Sequence, residues 1–205
     1  MVQTASYFKE SASQTAGPYV HIGCTPNFSG VEGVYPVDLG TTLVNADTKG
    51  ERITIKGTVF DGTGTPLKDA LIEIWQADAD GLYPSPQETR GNADPNFTGF
   101  GRSPGDMATG EFTFETIKPG RVPFRDGTLM APHVTFWIVA RGINIGLQTR
   151  MYFADEADAN AADPILTRIE HQNRVPTLLA QSEGAGVYRF DIRLQGADET
   201  IFFDI

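Results

Sequence analysis

The segment MAPHVTF, residues 130 to 136, holds the side chains best suited to chemistry. On a strand, positions two apart share a face, so His133 and Thr135 look the same way. A pair of imidazoles there would hold a transition metal, but one imidazole and one hydroxyl make a weak ligand set for iron or zinc. With only His21 and His171 elsewhere, a His-rich metal site is hard to assemble, and His133 alone reads as a hydrogen-bonded core residue. Cys24 lies three residues from His21. A thiolate nucleophile needs an oriented base as well as a nearby one, so Cys24 reads as an inert thiol. Asp78-Ala79-Asp80-Gly81 has the outline of a calcium loop, yet Gln76 takes the preceding ligand position and no Glu closes it, which leaves a solvated turn. Gly62-Thr63-Gly64 and Gly99-Phe100-Gly101 carry Leu67 and Pro104 where a dinucleotide fingerprint needs its third glycine, so both read as hairpin turns.

These side chains must be placed by strands. Ile53, Ile55, Gly57 and Val59 alternate before the turn DGTGTP, and Ile72 and Ile74 are in phase between Ala70 and Gln76. Phe112 and Phe114 alternate from Glu111 to Ile117, as do Ile145 to Phe153 and Tyr188 to Leu194; the tail TIFFDI closes the set. His133 to Arg141 is nearly continuous apolar sequence, the pattern of a central strand covered on both faces. Pro164, after an Ala- and Asp-rich stretch, predicts one or two short helices between about 155 and 181. Residues 1–50 keep neither periodicity and read as an irregular N-terminal arm, with the domain proper at 51–205. Short strands separated by turn residues predict a mainly β fold, an antiparallel β-sandwich carrying that arm.

The composition agrees. The chain has 205 residues, about one domain of typical length, and 22 Gly with 13 Pro, together above a background of about 12%. A formal net charge of -10 repels phosphate backbones and anionic lipid, so neither nucleic acid nor membrane is an expected partner. Thirteen Phe, six Tyr and two Trp exclude a disordered acidic chain. A single cysteine makes no internal disulfide, the first residues show no signal-peptide pattern, and no apolar run is long enough to span a bilayer, so a cytoplasmic protein is expected.

Longer motifs carry a resemblance. LIEIWQADADGLYPSP, DPNFTGFGR, FTFETIKPG and MAPHVTFWIVARGIN, with SQTAGPYVHIG before them and YRFDIRLQGADETIFFDI after, resemble the intradiol ring-cleaving dioxygenases over essentially the whole chain. The resemblance is closest to the non-iron, α-type chains of the protocatechuate-cleaving branch. The resemblance implies a non-haem Fe(III) centre held, in iron-bearing chains, by two tyrosines and two histidines. Tyr83 matches the first tyrosine, but Val122 stands where the second belongs; His133 matches the first histidine and Thr135 replaces the second. Met130 stands near the position of a helper arginine. Valine offers no donor atom, and a neutral hydroxyl is a poor substitute for imidazole on a ferric ion. The resemblance therefore implies a vestigial pocket at Tyr83, Val122, His133 and Thr135, with no catalytic residue or metal on this chain. It implies that Fe(III) is carried by a homologous β chain in an αβ hetero-oligomer. That assembly opens protocatechuate with O2 to 3-carboxy-cis,cis-muconate in aromatic catabolism. A self-sufficient enzyme with altered ligands, and a β-sandwich binding module without enzyme role, are the alternatives.

The resemblance also points to residues that face the partner's substrate: Thr15, Ala16, Gly17 and Pro18 of the arm, where a Gly-Pro turn brings backbone groups close. Arg141 is a further candidate. It lies eight residues beyond His133, more than ~25 Å along a regular strand, too far to serve the same pocket. Arg141 either offers positive charge to a carboxylated substrate across an interface or closes a structural ion pair on an acidic protein.

Overall fold

The computed structural model describes residues 15–144 and 146–204. Among these, nine strands make up most of the regular structure: β1 Arg52–Phe60, β2 Leu71–Trp75, β3 Phe100–Pro104, β4 Glu111–Ile117, β5 His133–Val139, β6 Leu147–Phe153, β7 Leu179–Gly184, β8 Val187–Arg189 and β9 Ile192–Arg193. The order is β3-β2-β5-β6-β7-β8-β1-β4, with β9 beside β1. The fold is mainly β, as expected, but three pairings (β1 with β8, β1 with β9, β6 with β7) are parallel. The two ends of this path come close, where Thr113 N donates to Ser103 Oγ at 3.3 Å.

Period-two alternation aims one face of every long strand at a common core. Ile53, Ile55 and Val59 of β1, Ile72 and Ile74 of β2, Phe112 and Phe114 of β4, and Val134, Phe136 and Ile138 of β5 are all buried there. The Phe136 ring sits at its centre, 5.2 to 6.3 Å from the rings of Phe190, Phe112 and Phe114. Each such side chain contributes about 1.5–3 kcal/mol by leaving water. β5 is central, between β2 and β6, but its outer face is only partly covered: Trp137 is 41% exposed. At one end that face is roofed by the segment carrying α2 (Ala157–Ala161) and two short 3-10 turns at Leu166–Arg168 and Gln172–Leu178, the helical region expected near 155–181.

Several elements differ from expectation. Gly99-Phe100-Gly101 is no hairpin turn. It opens β3, because Gly101 must lie against Ile74, Leu43 and Phe114, where a Cβ would stand within 3.0 Å of each. β7 begins inside the span read as helical, which ran to about 181; Ala180 is its one buried side chain, and its pairing with β6 and β8 overrides weak intrinsic preference. The strand expected at Tyr188 to Leu194 breaks between Arg189 and Ile192. The tail from Ile201 is not a strand. It makes only isolated bonds to β6, Phe203 N to Gln148 O and Thr149 Oγ1 to Ile201 O, short of a paired ladder. Within the arm, Pro18–Cys24 forms helix α1, and Leu43 joins the core. Tyr7, Phe8 and Ile145 lie outside the described residues. No helix of the described residues is long and apolar enough to cross a membrane.

Gly57 shows how tightly β1 and the strand break are joined. Phe190 N donates to Lys56 O at 2.8 Å, and a Cβ on Gly57 would stand 1.9 Å from the Phe190 carbonyl oxygen. Backbone cannot move aside as a flexible side chain can. Gly57→Ala should cost about 3 kcal/mol and lower the melting temperature by roughly 6–12 °C. A thermal melt within about 2 °C of wild type would contradict this packing.

Candidate functional site

The four residues that the resemblance reads as a vestigial pocket lie about one end of the β2–β5–β6 outer face. His133, first residue of β5, lies in register with Tyr152 of β6, with ring centroids 5.7 Å apart. Thr135 pairs with Trp75 on one side and Arg150 on the other. The Tyr83 ring stacks on Trp75 at 5.9 Å and 8°. Val122 is buried with Ala77 and Met130, and Tyr83 packs on that group. His133 Nδ1 is 2.9 Å from the carbonyl oxygen of Ala131, which can only accept, so Nδ1 carries the proton. Burial, and secondarily the Arg150 charge, depress the imidazole to about 4; burial likewise pushes the Tyr83 phenol up, against the pull of Arg150 and Arg90.

This donor set does not fit a ferric ion. Val122 brings no donor atom, Thr135 brings a hydroxyl, and the nearby charge, Arg150, has the sign of the metal. His133 instead stabilises the fold as a neutral group. Its unfolded counterpart titrates near 6.5, so between about pH 6.5 and 4 the unfolded chain binds the extra proton and stability falls on acidification. The full swing is about 3 kcal/mol. Urea denaturation at pH 7 and pH 4.5 should show this loss in wild type and a clearly shallower one in His133→Asn.

A second set of residues meets elsewhere, in a cleft of about 650 Å³ lined by Thr15, Ala16, Gly17, His21, Asp69 and Arg141 among others. Thr15 Oγ1 donates to Ala140 O at 3.3 Å and accepts Gly142 N at 2.8 Å, bracketing Arg141 between its two bonds. β5 ends at Val139, so Arg141 stands in the turn beyond it rather than on the strand face of His133. Its Nε is 3.3 Å from Asp69 Oδ2, and the side chain is 78% exposed. Arg141 thus makes the ion pair that was one reading of it while its other donors remain open to solvent. His21 Nε2 lies 3.0 Å from Asp69 O, tying α1 to the same loop. Gly17 is not part of a Gly-Pro turn: it caps α1, and Pro18 is the first helical residue, where its missing N–H costs nothing.

The other motifs resolve as structure. His21 is engaged by Asp69 O and Thr25 Oγ1, not by Cys24. The Asp78 turn is not solvated. Its carboxylate is buried and takes backbone N–H groups of Asp80, Leu82 and Asp94 at 2.8 to 3.0 Å, which leaves it a structural knot. Sequence reasoning missed Asp69 and Arg150, since ordinary charged residues carry no local signature. The α1 start was missed as well: Gly followed by Pro was read as a turn, although the same pair is a helix-start pattern.

The profile of a family described as Dioxygenase matches residues 25–196. A protocatechuate 3,4-dioxygenase alpha chain of Pseudomonas putida is 45% identical over 95% of this chain and 96% of its own. A protocatechuate 3,4-dioxygenase beta chain of Burkholderia cepacia is 34% identical over 83% of this chain and 77% of its own. The solved dioxygenase domain of a dioxygenase–carbohydrate-binding fusion from Streptomyces sp. SirexAA-E is 31% identical, with a TM-score of 0.54 over 77% of this chain and 88% of that one. With a family profile spanning most of the sequence, a near full-length likeness to an alpha chain and a weaker one to a beta chain, this chain belongs to the intradiol dioxygenase family.

Proposed function

We propose that this chain is the non-iron α subunit of a cytoplasmic protocatechuate 3,4-dioxygenase, and that the ring is opened on a homologous β chain that carries the non-haem iron. The assembled enzyme inserts both atoms of O2 between the hydroxyl-bearing carbons of protocatechuate, giving 3-carboxy-cis,cis-muconate. The domain is an antiparallel-rich sandwich of the intradiol type, and residues 1–50 form the arm that packs on the partner. The carrying observation is the meeting of Thr15, Gly17 and Arg141 in one cleft, with a guanidinium largely in solvent at its edge. A guanidinium held by Asp69 through one nitrogen and otherwise exposed at a surface cleft suits the carboxylate of a substrate held mainly by another chain. The free thiol of Cys24 accords with a reducing compartment.

Exposed apolar residues on the arm support a partner there. Tyr19 is 84% exposed, and Phe28, Val34, Tyr35, Val37 and Leu39 are also exposed along the same arm. Isolated apolar residues on a surface are ordinary, but so many on one segment call for cover. Purified from its native source, the chain should sediment as a hetero-oligomer with an iron-bearing homologue. A monodisperse, folded monomer at low micromolar concentration would sink the assignment.

A further inference from the structure

Asp69 and Arg141 stand at the end of the β2–β5 ladder. Each lies two residues beyond the pair Leu71 with Val139, so the antiparallel register sets them opposite one another. Opposite charges facing across strands attract. Exposure limits what the contact does for stability: Asp69 Oδ2 is 3.3 Å from Arg141 Nε, and the side chains are 35% and 78% exposed. An ion pair so open to water contributes little to folding. Among the described residues the Asp69 carboxylate has no other polar partner, yet its backbone is firmly mounted. Asp69 O accepts a hydrogen bond from His21 Nε2 of α1 at 3.0 Å. The next residue, Ala70, is fully buried, and its carbonyl accepts Gly105 N at 2.9 Å. A rigidly held acid is thus directed at one flexible guanidinium.

On the reading that this cleft faces the partner chain's substrate, we infer that Asp69 is a positioning residue for substrate recognition. It restrains Arg141 from the Nε end and leaves the Nη1–Nη2 fork for the substrate carboxylate. Thr15 fixes the backbone on either side of Arg141, and Asp69 fixes the side chain. Two opposed effects decide the sign. An unrestrained arginine gives up its rotamer freedom on binding, which costs roughly an order of magnitude in affinity. Asp69 also repels the incoming carboxylate, but at about 7 Å in water that repulsion is worth less than about threefold, and salt reduces it. Preorganisation outweighs repulsion.

In the assembled enzyme, Asp69→Ala should raise KM for protocatechuate roughly three- to tenfold with kcat little changed. Catechol, which has no carboxylate, should be affected far less. Asp69→Asn keeps an acceptor oxygen for Nε and removes the repelling charge, so it should restore most of the affinity. In an Arg141→Ala background Asp69→Ala should add nothing, because it acts through that guanidinium. The bond from His21 goes to the Asp69 backbone and survives each substitution. Sedimentation and thermal melts establish that assembly and folding are unchanged. The role of Asp69 is overturned if Asp69→Ala leaves or lowers the protocatechuate KM, if both substrates change equally, or if its effect adds to that of Arg141→Ala. Should Arg141→Ala itself leave protocatechuate kinetics intact, the substrate-facing reading of the cleft falls with it. A costly Arg141→Ala beside a silent Asp69→Ala removes the role of Asp69 alone.

Discussion

Expressed without its partner, the folded wild-type chain should contain no stoichiometric iron and open no catechol ring, whereas the proposed hetero-oligomer should contain iron and open the ring. The expectation follows from donor chemistry at one corner of the fold. Tyr83 is stacked on Trp75, Val122 is buried among apolar groups, and His133 is a neutral imidazole whose Nδ1–H is spent on Ala131 O. One imidazole and one phenol do not satisfy a ferric ion, and burial pushes the Tyr83 phenol away from the phenolate form such an ion needs. Metal analysis and a visible spectrum of the isolated chain decide the matter. A full iron complement with a red-brown charge-transfer band would overturn the subunit assignment in favour of a self-sufficient enzyme.

In the assembled enzyme, Arg141→Ala should lower kcat/KM for protocatechuate by one to two decades. A partly desolvated charge-assisted hydrogen bond is worth about 1.5–3 kcal/mol, which sets that range. Catechol, without the carboxylate, should lose far less, and iron content should not change, because no ligand is touched. The structure adds a condition on Thr15. Read as a pocket wall, Thr15 would affect both substrates alike. Its hydroxyl, however, holds Ala140 O and Gly142 N on either side of Arg141, so Thr15→Ala frees the turn that aims the guanidinium. Thr15→Ala should therefore follow Arg141→Ala in selectivity with a smaller loss, up to about tenfold, and Thr15→Ser should restore much of it. Equal losses on both substrates after Arg141→Ala would instead assign the residue to its ion pair with Asp69 alone.

Much of the framework was legible along the chain because strand alternation is a local property. Ile53, Ile55 and Val59, or Phe112 and Phe114, announce their inward face without reference to any other segment. The departures at Val122 and Thr135 were equally plain, since the residues standing at the positions that the resemblance gives to ligands are read without any fold. By contrast, β3 and β7 exist because neighbouring strands pair with them, and Gly101 in β3 or Gln181 in β7 gives no local strand signal.

The sequence by itself determined what this chain lacks, and its long motifs determined its family, because residue identity and order need no coordinates. Only the tertiary structure decided where its charges act. Arg141 is separated from Asp69 by 72 residues and from Thr15 by 126, and Arg150 meets Thr135 through strand register alone. Electrostatic and hydrogen-bonding contacts depend on distance in space, falling off within a few ångströms, and chain separation does not encode that distance.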